Sequence, residues 1–185
     1  GYGLQGRLGH GDEQRQLQPK KIEAFAGQRV LAVSAGGFHS LAFTAGGSVW
    51  SWGQGGVCAL GHGDRQDQWQ PKEVEALAEQ RVAAVSAGSH SLALTADGSV
   101  WSWGYGLQGR LGHGDEQRQL QPKKIEAFAG QRGVAVSTGG GHSAAITADG
   151  AVWSWGCGGW GGGLFGRLGH GDGQNQPLPK QIEAF

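Results

Sequence analysis

Residues 82–128 read VAAVSAGSHSLALTADGSVWSWGYGLQGRLGHGDEQRQLQPKKIEAF, and this stretch decides the fold. Residues 82–86 form a short apolar run, and residues 90–95 form a second. The second run ends at Asp97 and Gly98, a two-residue signal typical of a β-hairpin turn. The stretch therefore predicts two short strands that precede this turn.

The segment SVWSW after the turn alternates between aromatic and small side chains. This alternation places Trp101 and Trp103 on one face of a strand and Val100 and Ser102 on the other. Tryptophan pairs recur at the same place in the sequence, and we predict that they fill the space between packed sheets. The pairs are Trp50 and Trp52, Trp101 and Trp103, and Trp153 and Trp155.

The end of the stretch allows two interpretations. Residues 122–126 make a fourth candidate strand, and Pro122 at its start indicates a sheet edge. Residues 123–132, KKIEAFAGQR, also have the propensity of a short helix. Both alternatives stay open at the level of sequence.

The same pattern repeats along the whole chain. The string LGHGD begins at Leu8, Leu60, Leu111 and Leu168, a period of about 51 residues. Four short strands per unit at this period are typical of a β-propeller blade. We predict an all-β fold built from blades of four antiparallel strands, in a single array over residues 1–185. Its units are a partial one at 1–29 and full ones at about 30–80, 81–132 and 133–185.

The chain holds about 3.5 such units, fewer than the four to eight blades that close a ring. We expect either part of a seven-bladed propeller or a half-ring that self-association through open blade edges completes, because unpaired strands recruit others. Residues 1–29 and 104–132 are identical. A recent two-unit duplication and strong constraint both account for this identity.

The composition narrows the function classes. The 15 basic and 15 acidic residues leave no net charge to attract nucleic acid or a membrane surface as a whole. Cys58 and Cys157 have no spacing typical of a zinc site or a disulfide framework. Free thiols indicate a reducing compartment, and no signal segment or long apolar run is present, so we expect an intracellular protein of the cytoplasm or nucleus, with an organelle left open.

A glycine motif resembles a dinucleotide-binding loop. Gly104, Gly106 and Gly109 follow an apolar strand at the required spacing, with His113 and Asp115 close behind as candidate catalytic groups. A cofactor loop is used once and opens onto a helix. Here the glycines lead into another strand in unit after unit, so we predict a turn, no cofactor and no catalytic residue.

The histidines and aspartates repeat once per unit, which disperses them instead of gathering them into a metal or catalytic site. The HS histidines are expected to bond neighbouring backbone and hold their turn. The aspartates of GHGD are expected to accept hydrogen bonds from backbone two residues on. The sets are His39, His90 and His142; His10, His62, His113 and His170; and Asp12, Asp64, Asp115 and Asp172.

Residues 86–115, SAGSHSLALTADGSVWSWGYGLQGRLGHGD, resemble the repeat of the regulator of chromosome condensation family. The shared elements are a Gly-x-x-His-Ser turn, an apolar strand, an Asp-Gly turn, an aromatic-x-Trp-Gly strand and a glycine loop. The resemblance covers the whole chain. It implies a seven-bladed propeller, with members that act as protein-binding platforms, as a nucleotide exchange factor on chromatin, as modules of ubiquitin ligases or as the plant UV-B photoreceptor.

The residues separate these roles. The photoreceptor's light-sensing tryptophan position is taken by Gly37, by Ser89 or the gap beside it, and by Gly141. No motif assigns an exchange residue, and no room remains for a ligase domain. We therefore expect a non-catalytic scaffold for protein binding, with an exchange factor for a small GTPase or a chromatin-associated regulator as the first alternative and a light sensor as the second.

Departures from the repeat indicate where a partner binds. The loop after Gly156 is five residues longer than its counterparts and carries Trp160, Leu164 and Phe165 among glycines. Aromatic side chains dominate interface hot spots, so this apolar loop is a candidate partner anchor. The alternative is that Trp160 folds back onto its own blade.

Arginines in the glycine loops are the second candidate. Arg7, Arg110 and Arg167 occupy one position of the repeat, where the remaining unit has Ala59. Three arginines at one face suit acidic groups or ion pairs between subunits. If they are exposed to solvent, their contribution is negligible.

Overall fold

The computed structural model describes residues 1–159 and 166–183. Within these residues the chain is all-β and forms three antiparallel sheets of four strands, each strand bonded to the next along the chain. The first blade contains β1 (Val30–Ala35), β2 (His39–Thr44), β3 (Val49–Gly53) and β4 (Gln68–Glu73). The second contains β5 (Val82–Ala87), β6 (His90–Thr95), β7 (Val100–Gly104) and β8 (Gln119–Lys124). The third contains β9 (Gly133–Thr138), β10 (His142–Thr147), β11 (Val152–Gly156) and β12 (Gln176–Gln181).

Short 3-10 turns, at Leu4–Gly6, Glu23–Phe25, Glu75–Leu77, Leu107–Gly109 and Glu126–Phe128, are the helical elements of the described residues. No helix in residues 1–159 or 166–183 is long and apolar enough to span a membrane.

Alternation along the strands gives each blade two packing faces. In β2 the side chains of His39, Leu41 and Phe43 point toward the second blade, and we call this side the forward face. The side turned toward the preceding blade is the backward face. In the second blade Trp103 lies on the backward face and Val100 on the forward face, which confirms the alternation read from SVWSW.

The core lies between neighbouring blades. Leu41 and Phe43 of the first blade pack with Ala93 and Trp103 of the second, and Leu77 from the connecting turn joins them. Leu92, Leu94 and Val100 of the second blade pack in the same way with Trp155 of the third. Each blade thus buries its apolar side chains against its neighbours and depends on them for its core.

The fourth strand differs from the sequence prediction. β8 begins three residues before Pro122 and ends at Lys124, and Glu126–Phe128 then forms one 3-10 turn. The predicted short helix over 123–132 is realised only as this turn. β8 lies at the sheet edge, as its proline indicated.

The glycine loop is a compact turn. A Cβ at Gly106 would lie 2.0 Å from the carbonyl oxygen of Gln117, and Gly109 has a φ of 73°. Only glycine fits both positions without strain. The spacing that resembles a cofactor loop is therefore required by the turn itself.

The aspartates of GHGD close these loops as predicted. Asp12 accepts a hydrogen bond from the backbone N–H of Gln14 at 3.0 Å, and Asp115 accepts one from Gln117 at 2.9 Å. The loop then reaches the next blade, because Gly63 N–H donates to the carbonyl of Leu120 in β8 at 3.0 Å.

Candidate protein-binding site at the loop end of the blades

Two kinds of loop leave every blade at the same end. In the first and third blades, the side chain of an arginine joins the short loop between the first and second strands to the glycine loop of the preceding unit. We call this side of the molecule the loop end. Its described loops are 2–15, 36–38, 54–67, 88–89, 105–118, 139–141, 157–159 and 166–175.

Arg110 is the most enclosed cation at the loop end. Its Nε donates to the carbonyl of Leu107 at 2.8 Å, one Nη to the carbonyl of Gly140 in the third blade at 3.0 Å, and the other to Gln108 at 3.1 Å. Burial lowers the pKa of the Arg110 guanidinium from its ordinary value. The side chain therefore bridges the second and third blades through neutral acceptors.

The other two arginines of this position are more accessible. Arg7 is half-buried and donates to the carbonyl of Gly37 at 3.4 Å. Arg167 is exposed. The structure thus distributes the three arginines over three different glycine loops, the first, third and fourth along the chain.

Aromatic rings stack on arginines at the loop end, a feature that the sequence analysis missed. The guanidinium carbon of Arg118 lies 4.8 Å from the ring centroid of Tyr105. The guanidinium carbon of Arg110 lies 5.6 Å from the same centroid. Arg15 lies 5.0 Å from the ring of Tyr2. The signal was present, because the same tyrosine-to-arginine spacing occurs in both copies of the identical segment.

Exposed apolar side chains accompany these stacks. Tyr2 is 61% exposed, and Leu4, Phe38 and Leu107 are also exposed. The Phe38 ring lies 5.4 Å from the guanidinium carbon of Arg7. Tyrosine, phenylalanine and arginine are the residue types enriched at protein interfaces.

The predicted anchor residues Trp160, Leu164 and Phe165 lie outside the described residues. The start of their loop is described: Cys157 is buried and its thiol donates to the carbonyl of Gly159 at 3.1 Å. The loop therefore leaves the third blade at the loop end.

The HS histidines do not hold their own turns, contrary to the sequence expectation. His39 Nε2 lies 2.8 Å from Ser91 Oγ of the next blade, and Ser91 Oγ donates to the carbonyl of Ala59 at 2.7 Å. His90 repeats this contact with Ser143 at 2.6 Å. In these two units the sequence motif HS is therefore a link between blades.

The GHGD histidines anchor the glycine loop to the third strand of the same unit. His62 Nε2 lies 2.9 Å from Ser51 Oγ, and His113 Nε2 lies 2.9 Å from Ser102 Oγ. Burial lowers the pKa of His62 and of His113 to about 4. These imidazoles are neutral structural groups at neutral pH.

Residues 1–159 and 166–183 contain no group of three His, Cys, Asp or Glu side chains able to hold a metal ion. Two grooves follow the outer strands: one of about 630 Å³ along β4 and one of about 520 Å³ along β8. Since both occur at equivalent places in the repeat, they are features of the blade.

Comparison with known proteins identifies the repeat. A family model described as the regulator of chromosome condensation (RCC1) repeat matches residues 1–43, 46–94 and 97–146, and a second model of the same description matches residues 30–57, 82–110 and 134–166. The chain belongs to the RCC1 repeat family. The sequence-based recognition of the family is confirmed.

Relatives of this RCC1 repeat chain include proteins with different roles. The chain is 39% identical over 186 residues to the ultraviolet-B receptor UVR8 of Arabidopsis thaliana, covering 100% of this chain and 41% of the receptor. It is 41% identical over 183 residues to the human E3 ubiquitin-protein ligase HERC2, covering 97% of this chain and 4% of the ligase. The chain thus spans less than half the length of these relatives.

Solved structures confirm the propeller class of this RCC1 repeat chain. Human WBSCR16 superposes with a TM-score of 0.86 at 26% identity, covering 98% of this chain and 47% of that one. Prp20p of Saccharomyces cerevisiae superposes with a TM-score of 0.78 at 23% identity, covering 99% and 45%, and was studied for binding to Gsp1p and histones. The second likeness shows the fold alone.

Proposed function

We propose that this chain is a non-catalytic scaffold whose loop end binds a protein partner. The observation that carries the proposal is the concentration of arginine-stacked aromatic rings and exposed apolar side chains on that one side. Aromatic side chains bury large areas at little cost in side-chain entropy, and arginine is enriched beside them at interface hot spots.

We propose different roles for the predicted residues of this surface. Trp160, Leu164 and Phe165 supply apolar anchors, and Arg167, two residues after Phe165 in the sequence, supplies an exposed cation. Arg7 and Arg110 complete the proposed set, with Arg110 acting from between two blades. Tyr105 and Arg118 join this set because their stacked pair faces the loop end.

The test compares two double variants of similar chemistry. Tyr105→Ala with Arg118→Ala removes the stack, and Leu178→Ala with Lys180→Ala removes an exposed apolar and basic pair from the outer strand β12. Partners captured by the wild type are purified and their affinity is measured by calorimetry. We expect at least a tenfold loss for the first variant and no loss for the second.

Equal affinity of both variants for every captured partner contradicts the proposal. Trp160→Ala tests the longer loop separately, since unchanged affinity removes that loop from the binding surface.

Two other function classes are distinguished by direct assays. Release of a labelled guanine nucleotide from a small GTPase on addition of this chain would indicate an exchange factor. A change in oligomer mass under UV-B light would indicate a sensor. Glycines 37 and 141 at the loop end argue against the second class.

Self-association through open blade edges is a further part of the proposal. It is favoured because the forward face of the third blade and the backward face of the first blade are the two halves of one interblade interface. In such a dimer, the last unit of one copy would occupy the space that residues 1–29 of the other copy fill. One of these two segments must therefore move. Sedimentation at increasing concentration tests this, and a constant monomer mass contradicts it.

We also propose an intracellular location in the cytoplasm or nucleus. It is supported by the two free, buried cysteines, Cys58 and Cys157. A relative with a mitochondrial name, RUG3 of Arabidopsis thaliana, is 42% identical over 139 residues and keeps an organelle among the alternatives. Fluorescence microscopy of the tagged chain tests the location.

A further inference from the structure

The glycine loops of the blades close in two different ways. In the second loop, residues 54–67, the backbone N–H of Gly55 donates to the carboxylate of Asp67 at 2.8 Å. In the fourth loop, the N–H of Gly158 donates to the side-chain oxygen of Asn175 at 3.1 Å. Each of these loops therefore contains its own oxygen acceptor, and that acceptor joins the start of the loop to its end.

The third loop, residues 105–118, has no such acceptor. The equivalent of Asp67 is Arg118, whose side chain only donates hydrogen bonds. Gly106 is the equivalent of Gly55, and its N–H makes no hydrogen bond to a described residue. Gly106 is buried, and buried backbone N–H groups in folded proteins are nearly always paired. The third loop thus combines an unsatisfied N–H at its start with a cation at its end.

The second and third loops follow the same backbone path where their ends meet. A Cβ at Gly55 would lie 2.1 Å from the carbonyl oxygen of Gln66, and a Cβ at Gly106 would lie 2.0 Å from that of Gln117. The residue after each glutamine therefore starts from the same place beside the glycine. In the second loop that residue supplies the acceptor, and in the third loop the acceptor must come from another molecule.

Two arginines and a tyrosine surround this part of the third loop. The guanidinium carbons of Arg118 and Arg110 lie 4.8 Å and 5.6 Å from the ring centroid of Tyr105, the residue before Gly106. In the part of the chain that the structure describes, no carboxylate forms an ion pair with either arginine. The stack on the ring holds a guanidinium in place, and a held guanidinium is suited to bind an anion.

The carboxylates of the third loop itself do not take the acceptor position. Asp115 accepts a hydrogen bond from the N–H of Gln117 at 2.9 Å. Glu116 is exposed and forms no hydrogen bond or ion pair with a described residue. Both side chains therefore leave the N–H of Gly106 and the guanidinium of Arg118 free for a partner.

We propose that the third loop binds a carboxylate of the partner protein, which accepts from the N–H of Gly106 and pairs with the guanidinium of Arg118. This carboxylate takes the place that Asp67 has in the second loop. The proposal rests on the proposed function, because it names the chemical group that the loop end recognises. Arginine suits this group, since its planar fork binds a carboxylate through two parallel hydrogen bonds.

The first loop repeats the arrangement with one difference. The guanidinium carbon of Arg15 lies 5.0 Å from the ring centroid of Tyr2. However, Glu13 accepts a hydrogen bond from the N–H of Gln5 at 3.2 Å, so a carboxylate of that loop already lies near its start. We therefore assign the site to the third loop.

The first experiment exchanges the two closures within the full chain. Arg118→Asp gives the third loop the residue of the second, and Asp67→Arg makes the reciprocal change. The amide proton shifts of Gly106 and Gly55 are measured by NMR, because a hydrogen bond to a carboxylate moves an amide proton downfield. We expect Gly106 to move downfield in the first variant and Gly55 to move upfield in the second. An unchanged Gly106 in Arg118→Asp overturns the assignment.

The second experiment adds a carboxylate from another molecule. The labelled chain is titrated with the pentapeptide Gly-Gly-Asp-Gly-Gly, blocked at both ends, and with the same peptide carrying Asn in place of Asp. We expect a saturable downfield shift of Gly106 with the first peptide alone. An equal shift with the Asn peptide overturns the requirement for a carboxylate.

A glycine pentapeptide with a free C-terminus separates the two sources of a carboxylate. A shift of Gly106 that is larger with this peptide than with the Asp peptide supports the site and assigns a chain terminus to it. A larger shift with the Asp peptide assigns an acidic side chain. No saturable shift with either peptide overturns the proposal.

Variants of the chain locate the bound carboxylate. Arg118→Ala is expected to weaken binding of the Asp peptide about tenfold, because the opposite charge and its hydrogen bonds are lost. Arg118→Asp is expected to abolish binding, because it adds a competing carboxylate. Lys123→Ala removes an exposed cation from β8 of the same blade and is the matched control. An equal loss with Lys123→Ala would show attraction by general charge and would overturn the assignment.

Failure of this proposal is distinct from failure of the proposed function. If Tyr105→Ala with Arg118→Ala weakens partner binding but neither acidic peptide shifts Gly106, the proposed function stands and the carboxylate site is overturned. If the Asp peptide binds as expected but the same double variant keeps full affinity for every partner, the carboxylate site stands and the proposed function is contradicted.

Discussion

Buried serines determine which tautomer the interblade histidines adopt. Ser91 has one hydroxyl proton and donates it to the carbonyl of Ala59. It must therefore accept from His39, whose Nε2 carries the proton. The Nδ1 of His39 is buried without a partner. The structure therefore accommodates the neutral ring, and a second proton on Nδ1 would have no hydrogen-bond acceptor.

We expect Ser91→Ala to lower the free energy of unfolding by about 2 kcal/mol, because it leaves the buried Nε2–H of His39 without an acceptor, whereas the carbonyl of Ala59 keeps the hydrogen bond from Trp103 Nε1. Ser40→Ala is the matched control at the equivalent position of the open face, and we expect a change below about 0.5 kcal/mol. Urea denaturation measures both. Similar losses in the two variants would contradict the interblade role of the bond.

Lowering the pH is expected to destabilise the fold already at pH values above those at which carboxylates titrate. Burial lowers the pKa of His39 to about 4 and that of His90 to about 3, where the nearby Arg110 adds to the effect. The unfolded chain binds these protons near pH 6.5 and the folded chain does not, so stability falls as the pH falls.

Between pH 6.5 and 5 each of these histidines contributes a loss of about 2 kcal/mol. Urea denaturation across this range measures the slope, and His90→Gln is expected to reduce it. A free energy of unfolding that stays constant from pH 7 to 5 would contradict this role of the buried histidines.

At the scale of elements, the turn between the second and third strands differs among blades. In the second blade Asp97 accepts hydrogen bonds from the Thr95 hydroxyl and, at 3.0 Å, from the backbone of Ser99. The Thr95 hydroxyl is the main cause that lowers the pKa of Asp97 to about 2. The first blade has Gly46 at the equivalent position and lacks these bonds.

We expect Gly46→Asp to raise the free energy of unfolding by about 0.5 to 1 kcal/mol, because it adds these bonds and restricts the unfolded chain. A Cβ at Gly46 would meet only the Thr44 hydroxyl, at 3.8 Å. Asp97→Ala is expected to act in the opposite direction by a similar amount. Thermal unfolding of both variants checks the pair, and a loss of stability in Gly46→Asp would count against the turn mechanism.

The elements also separate what sequence can predict from what it cannot. The second strand was predicted over 90–95 and β6 spans His90–Thr95, because an apolar run between turn residues is a local signal. The fourth strand was misplaced because its start depends on a bond from Gly63 in the preceding unit. No local rule assigns β8 and residues 16–21 correctly, since their sequences are identical.

The candidate site was partly predictable for the same reason. The loops were located by the repeat, and departures from it indicated the long loop after Gly156. The stack of Arg118 on Tyr105 was missed, because it joins the start of a loop to its end across a turn whose path the sequence alone does not define. Burial of Arg110 depends on the third blade, which one unit of sequence does not include.

At the scale of the whole molecule, the blades interact as nearest neighbours. β5 contacts β1 on one side and β9 on the other, and the interface chemistry is the same in both places. Stability is therefore close to a sum over blades and interfaces. The first and third blades each have one open face and therefore contribute the least interface area to stability. The difference in burial is seen at Ile146 in the third blade, which is 40% exposed, whereas its equivalent Leu94 in the second blade is 4% exposed.

The repeated 29-residue segment has a consequence for refolding. While the chain is unfolded, β7 meets two competing partners of identical sequence, residues 119–124 and residues 16–21. Loop-closure entropy favours the nearer one by only about 1 to 2 kcal/mol. A fraction of chains is therefore expected to form the wrong hairpin and to refold slowly through its rupture.

Leu17→Gly with Lys20→Gly lowers the strand propensity of the competing segment at sites that form no native strand. We expect the slow phase of tryptophan fluorescence in stopped-flow refolding to lose most of its amplitude. The same changes in β8, Leu120→Gly with Lys123→Gly, are expected to enlarge it. Sequence identity between distant repeats, useful for building an array, thus creates a kinetic trap that divergence of one copy would remove.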